Sequence, residues 1–144
     1  MGFKALTLVE ILITVSIIII LSLIGVLGYT NFRPYFYLVG TSREIVADLR
    51  LSQQLSVGGQ EECGICFLIN ENSYQVLKYN NHIIIKEKEL PGEIFFDRVE
   101  GLSENCVFFN SFGAALESGS IVLTNIKSEK KTIEVKPSGF LKIE

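Results

Sequence analysis

Charged residues are nearly absent from the first thirty positions and then return with a regular rhythm. From Ile11 to Gly28 there is no charged side chain. Eighteen helical residues rise about 27 Å, close to the hydrocarbon thickness of a bilayer. The pattern predicts a transmembrane helix over 6–30, followed by an amphipathic continuation over 31–58. In the continuation, Leu38, Ile45, Val46, Leu49 and Leu55 fall near helical spacing, while Arg43, Glu44, Asp48 and Arg50 fall mostly on other faces. Gly25 and Gly28 weaken the helix and Pro34 lacks a backbone N–H, so a bend is expected near Asn31–Pro34 before the helix resumes. Gly58–Gly59 ends it.

The remainder, 59–144, reads as strands. "ICFLI" and "YQVLKY" are separated by the turn-rich "NENS"; "HIIIKEKEL" follows Asn80–Asn81, and Pro91–Gly92 precedes "EIFFDRV". "NCVFFN" leads to Gly113, "SIVLTNIK" is joined by "SEK" to "KTIEVK", and Pro137–Gly139 turns the chain into "FLKI". Within "KTIEVK", Ile133 and Val135 point one way and Thr132 and Glu134 the other, as in a half-buried sheet. The predicted class is therefore α+β: a long amino-terminal helix, its first half in lipid, packed on a carboxy-terminal antiparallel β-sheet or sandwich domain.

Charge narrows the function. The formal net charge is -3, and Lys127, Lys130, Lys131, Lys136 and Lys142 are interleaved with Glu129, Glu134 and Glu144. That is a solvated face rather than a basic stripe for nucleic acid. The single histidine, His82, is placed at the start of a strand with no second ligand or base nearby. No nucleophile elbow, zinc helix, phosphate loop or carboxylate pair appears, so no catalytic role is assigned and no cofactor is implied. Cys63 and Cys66 form "CGIC", and Cys106 lies in "NCVFF". Three cysteines and a distant histidine fall short of a four-ligand metal site. One disulfide with one free thiol suits an oxidising exterior, with three pairings open; in a reducing habitat all three would be buried apolar residues.

The one charge at the head of the apolar run, Glu10 in "LTLVE", needs a reason, because an ionisable group in a bilayer costs up to a few kcal/mol. A secretory signal cleaved before Tyr29, with Val26 and Gly28 supplying small positions, does not fit the length of the run. A plain anchor with Lys4 on the cytoplasmic side fits the length but leaves "LTLVE" unexplained.

The stretch "MGFKALTLVEILITVSIIII" resembles the class III signal of type IV prepilins and type II secretion pseudopilins. There a short basic leader ends in a small residue, followed by an apolar residue, Thr-Leu-(Ile/Val)-Glu and an unbroken hydrophobic helix. The resemblance implies a leader over 1–5 and cleavage by a prepilin peptidase between Ala5 and Leu6, with Ala5 in place of the usual Gly and Leu6 in place of the usual Phe. Cutting after Gly2 instead would place Glu10 eight residues in rather than five. The new α-amine on Leu6, with an unperturbed pKa of about 8, would be largely protonated and, by resemblance, N-methylated. Glu10 of one subunit could then face the Leu6 ammonium of a neighbour, with Thr7 beside it in the assembly segment. A buried carboxylate with such a partner is tolerated, and an unpaired one is not.

Farther on, Phe109, Gly113, Ile133, Val135, Gly139, Leu141 and Ile143 match in order the closing strands of GspH/FimT-type minor pseudopilins. These resemblances imply a pilin-like structural subunit in the bacterial inner membrane, single-pass, amino terminus cytoplasmic and globular domain extracytoplasmic. Its partners would be other pilins or pseudopilins, the peptidase, an inner-membrane assembly platform and lipid. The filament would be a type II secretion pseudopilus or a type IV pilus-like fibre; the alternative is a competence-type subunit acting in DNA uptake, although "PSGFLKIE" lacks the arginine pair of DNA-binding relatives.

Overall fold

The computed structural model describes residues 7–59 and 61–144. The chain is α+β. Helix α1 (Leu8–Gly59) precedes eight strands among the described residues: β1 (Cys63–Leu68), β2 (Ser73–Lys78), β3 (Ile84–Glu89), β4 (Ile94–Glu100), β5 (Cys106–Phe109), β6 (Gly119–Asn125), β7 (Lys130–Val135) and β8 (Leu141–Ile143). They form two antiparallel sheets of four, ordered β3-β2-β1-β5 and β4-β6-β7-β8. Chain contacts divide the molecule into two units, the second being Pro34–Glu144.

In the first unit, every residue from 7 to 26 is exposed, and the span has a mean hydropathy of 2.9. It is long and apolar enough to cross a membrane. The helix resumes beyond Asn31–Pro34, as expected. Pro34 lies inside the helix with its ring buried, and α1 runs through it. A proline lacks the N–H of one ladder bond.

In the second unit, the helix packs on the sheets through a stripe that is apolar at first and polar at its end. Leu38, Ile45, Val46 and Leu49 join one core with Ile65, Phe67 and Val76 of the first sheet and Ile94, Ile121, Leu123, Ile133 and Leu141 of the second. The strands alternate inward apolar and outward polar residues, as a sheet with one wet face requires. Leu55 is only half-buried; Ser52 and Ser56 occupy the buried positions of the last turns. Ser56 Oγ accepts the Cys63 N–H at 2.9 Å and donates to the Ser52 carbonyl at 3.0 Å. A small hydroxyl lets the start of β1 come close while satisfying its backbone.

Two further expectations are corrected. Asp48, assigned to another face, is buried on the flank of the stripe. Its carboxylate accepts the Tyr74 hydroxyl at 2.7 Å and the Lys86 ammonium at 2.8 Å from both oxygens. One turn earlier, Lys88 pairs with Glu44. His82 is not in a strand but in the β2–β3 turn, at φ 48°, where the Lys78 N–H closes on the Ile83 carbonyl at 3.1 Å. The turn needs a left-handed residue there, so β3 starts two positions later.

Burial, with the hydrogen bond to Asp48 second, pushes the Tyr74 phenol far above its ordinary value. Below pH about 10, where an unfolded tyrosine is neutral, this favours the native state in full. Above it the unfolded chain sheds the proton and the native chain holds it, so stability falls as pH rises. Denaturant titrations of the full chain in detergent between pH 9 and 11.5 should show that decline. Tyr74→Phe should lose stability at neutral pH, by about 1.5–3 kcal/mol, and should decline less steeply above pH 10. Equal alkaline slopes would contradict the assignment.

Candidate functional site

The helix that begins at Leu8 is capped by the residue before it. The Thr7 carbonyl accepts the N–H groups of Glu10 and Ile11 at 3.1 and 3.2 Å, and Thr7 Oγ1 lies 3.3 Å from the same Glu10 nitrogen. Thr7-Leu8-Val9-Glu10 has the spacing of a capping box, a signal in plain sight that the sequence reading missed. Glu10 sits in the first turn, where the helix dipole favours negative charge. Its side chain is exposed, and among the described residues no cation pairs with it. Ala5 and Leu6 lie outside the described residues.

The polar side chains inside the apolar span bond to the helix itself. Thr14 donates to the Ile11 carbonyl at 2.9 Å, Ser16 to Leu12 at 2.7 Å and Ser22 to Ile18 at 2.7 Å. A hydroxyl in hydrocarbon has no water to turn to, so this internal bonding is what a lipid-facing helix requires. Glu10 is thus the exception in a segment whose other polar side chains are internally satisfied.

Within the globular unit, the residues of the carboxy-terminal pattern fall into two groups. Phe109, Ile133, Val135 and Leu141 are core residues, and Ile143 packs against them partly buried. Gly113 and Gly139 meet at the helix. Gln53 Nε2 donates to the Gly113 carbonyl at 2.5 Å and to the Gly139 carbonyl at 3.3 Å. Gly139 has φ +79°, and a Cβ there would lie 2.1 Å from the Gly113 carbonyl oxygen. Only glycine fits that crossing. One helix side chain therefore holds two loops that are distant in sequence. Beside it Phe112 is 90% exposed, on a loop ordered by Asn110, whose Oδ1 accepts the N–H groups of Phe112 and Ala114 at 3.0 Å each.

The cysteines separate by face. Cys66 and Cys106 stand directly opposite each other on β1 and β5 and form a disulfide; Cys63 is a buried thiol. An offset of three along a strand puts Cys63 and Cys66 on opposite faces, so the "CGIC" pair cannot close on itself. Sequence left three pairings open, and strand alternation was the signal that would have removed one of them. Between the cysteines, a Cβ on Gly64 would lie 2.4 Å from the Phe108 ring. No cluster of His, Cys, Asp and Glu among the described residues is arranged to hold a metal ion.

No protein-family model matches the sequence, and no curated protein does. Solved structures do match. The type IV minor pilin FimU of Pseudomonas aeruginosa superposes with a TM-score of 0.63 at 10% identity, covering 78% of this chain and 92% of that one. The minor pseudopilin EpsH of the Vibrio cholerae type 2 secretion system gives a TM-score of 0.60 at 14% identity, covering 74% of this chain and 95% of the other. At these identities the likeness is one of fold, and the fold is the pilin fold.

The crossing at Gln53 makes a prediction about stability. Gly139→Ala should cost about 2–4 kcal/mol, because the new methyl meets a backbone oxygen and the left-handed conformation resists a side chain. Gln53→Ala should cost about 1 kcal/mol, the scale of lost hydrogen bonds. Urea unfolding of the two variants beside the parent chain checks both. A neutral Gly139→Ala would mean that the two loops do not touch.

Proposed function

We propose that the protein is a minor pilin-like subunit, processed by a prepilin peptidase and assembled into a type II secretion pseudopilus or a type IV pilus-like filament. The observation that carries this reading is the joining of a pilin fold to an uncharged, exposed helical span headed by Glu10. A soluble protein does not leave such a stripe uncovered. Lipid covers it in the isolated subunit, and neighbouring helices cover it in a filament. The role is structural rather than enzymatic. The chain spans the bacterial inner membrane once, with its amino terminus cytoplasmic and its globular part outside.

In this reading the peptidase cuts between Ala5 and Leu6, and Leu6 is then N-methylated. The methylated amine keeps its charge and seeks a counter-ion in a medium of low dielectric. The Glu10 carboxylate of an adjacent subunit supplies it, with Thr7 fixing the start of the helix that presents it. A carboxylate that is costly in lipid alone becomes tolerable once paired, so assembly is favoured in the register that forms the pair. An inner-membrane platform would deliver the subunit, and other pilins or pseudopilins would receive it.

Duplex DNA is a poor partner by charge. Lys78, Lys86, Lys88, Arg98, Lys130 and Lys142 each face a carboxylate of the same chain. Cations already paired release few counterions on binding phosphate. The full chain in detergent should therefore show no submicromolar affinity for duplex DNA at physiological salt, and such an affinity would favour the DNA-uptake role instead.

Two measurements test the assembly reading. Mass spectrometry of membrane material should find a mature chain beginning at methylated Leu6; a start at Tyr29, or an intact Met1 beside an active peptidase, would refute it. Glu10→Ala and Glu10→Gln should both leave membrane fractionation unchanged and reduce cross-linking to partner pilins. Normal cross-linking in both would reduce Glu10 to a helix-capping residue.

A further inference from the structure

Four strands form the outer edges of the two sheets, and three of them are protected. β3 carries the alternating charges of Lys86, Glu87, Lys88 and Glu89. β4 has a bulge between Phe96 and Arg98 and charges at Asp97, Arg98 and Glu100. β5 is bridged by the returning loop, with Phe109 paired to Ala115 and the Leu116 N–H on the Phe108 carbonyl at 2.9 Å. Charge, bulges and cover are the ordinary defences of an edge. β8 is short and carries a single charge, Lys142, paired with Glu144, and neither a bulge nor a loop covers it among the described residues.

The free side of β8 follows from its bonds to β7. Glu144 and Thr132 exchange both backbone bonds, at 2.9 and 3.1 Å, and the Lys136 N–H bonds the Phe140 carbonyl at 2.9 Å. Antiparallel ladders alternate, so the N–H and C=O groups of Leu141 and Ile143 point away from β7, toward the open side. Beside that edge lies a groove of about 520 Å³ between β8 and α1, lined by Ile143 and by Arg43, Ala47, Arg50 and Leu51 of the helix. Arg43 and Arg50 are exposed, and no carboxylate among the described residues pairs with either. They contrast with the lysines of the same unit that are already neutralised.

We propose that this groove receives an extended segment of a partner protein, added as an antiparallel strand at β8, whose inward side chains run acidic, apolar, acidic. Spacing supports the pattern. Arg43 and Arg50 are two helical turns apart, about 10.5 Å along the axis. Two inward carboxylates four residues apart on a strand are separated by about 13 Å, within reach of two flexible guanidinium groups. The apolar residue midway between them meets Ala47 and Leu51. Main-chain bonds to Leu141 and Ile143 supply affinity independent of sequence, and the arginines supply selection, as in other strand-addition sites. The site lies outside the apolar span and does not involve Glu10, so it stands or falls separately from the assembly reading.

The probe is the fluorescein-labelled peptide Thr-Glu-Thr-Val-Thr-Glu-Thr, titrated by anisotropy against the full chain in nonionic detergent. Saturable binding that weakens with added salt is expected. The double variant Arg43→Glu/Arg50→Glu should weaken it about tenfold or more, with circular dichroism unchanged because both positions are exposed. The same peptide N-methylated at Val and the second Glu should lose binding, since those amides face β8; this control needs no change in the protein. A peptide that does not bind, one indifferent to the arginine reversal, or one indifferent to N-methylation would each overturn the proposal. Self-association of the chain that requires both arginines and is not displaced by the peptide would overturn it in favour of a second copy as the occupant.

Discussion

The Asp48 carboxylate ties α1 to two adjacent strands of the first sheet and gives direction to the apolar packing of the helix. A buried carboxylate without donors would be severely destabilising. Here a phenol from β2 and an ammonium from β3 converge on it, so one helix residue is bound to two adjacent strands at once. The pair is half-wet: Lys86 keeps 39% of its side-chain exposure while Asp48 keeps 8%. Such a pair adds less to stability than well-packed apolar side chains of the same volume, but it is selective. Sliding the helix along the sheet would disturb both bonds to the buried carboxylate at once.

At the far end of the same packed stripe the physics differs. Ser52 and Ser56 replace large apolar residues, and Gln53 reaches past them to two loop carbonyls. The helix is fixed at one end by charge-assisted bonds and at the other by hydroxyls and an amide that read backbone. Leu38, Ile45 and Leu49, fully buried on the same stripe, supply the ordinary hydrophobic attraction. That division explains why the helix surface toward the sheets is neither uniformly apolar nor regular in side-chain size.

Much of this was legible in the sequence because it depends on local pattern. Alternation in "KTIEVK" and turn residues such as Asn80–Asn81 and Pro91–Gly92 place the strands to within a residue or two. The apolar run and the stripe from Leu38 to Leu49 place the helix. What local pattern cannot supply is the identity of a partner distant in the chain. Asp48 looks like a surface residue until Tyr74 and Lys86, 26 and 38 positions away, are brought to it. Gly113 and Gly139 look like two independent turns until Gln53 joins them. The candidate assembly residues divide likewise, with the Thr7 cap visible in the fold and no cation paired with Glu10 among the described residues.

The Cys66–Cys106 bond has a mechanical meaning. It joins neighbouring strands across a sequence separation of 40, enclosing β2, β3 and β4 in a covalent ring. A chain pulled from its two ends lengthens only through segments outside that ring. Roughly 130 Å of contour is thereby withheld from extension, and β2 and β3, which hold the helix through Tyr74 and Lys86, belong to the shielded part. Under tension, the cross-linked chain would give way first in α1 or in the second sheet's later strands, leaving the ring as a short knot that still carries load.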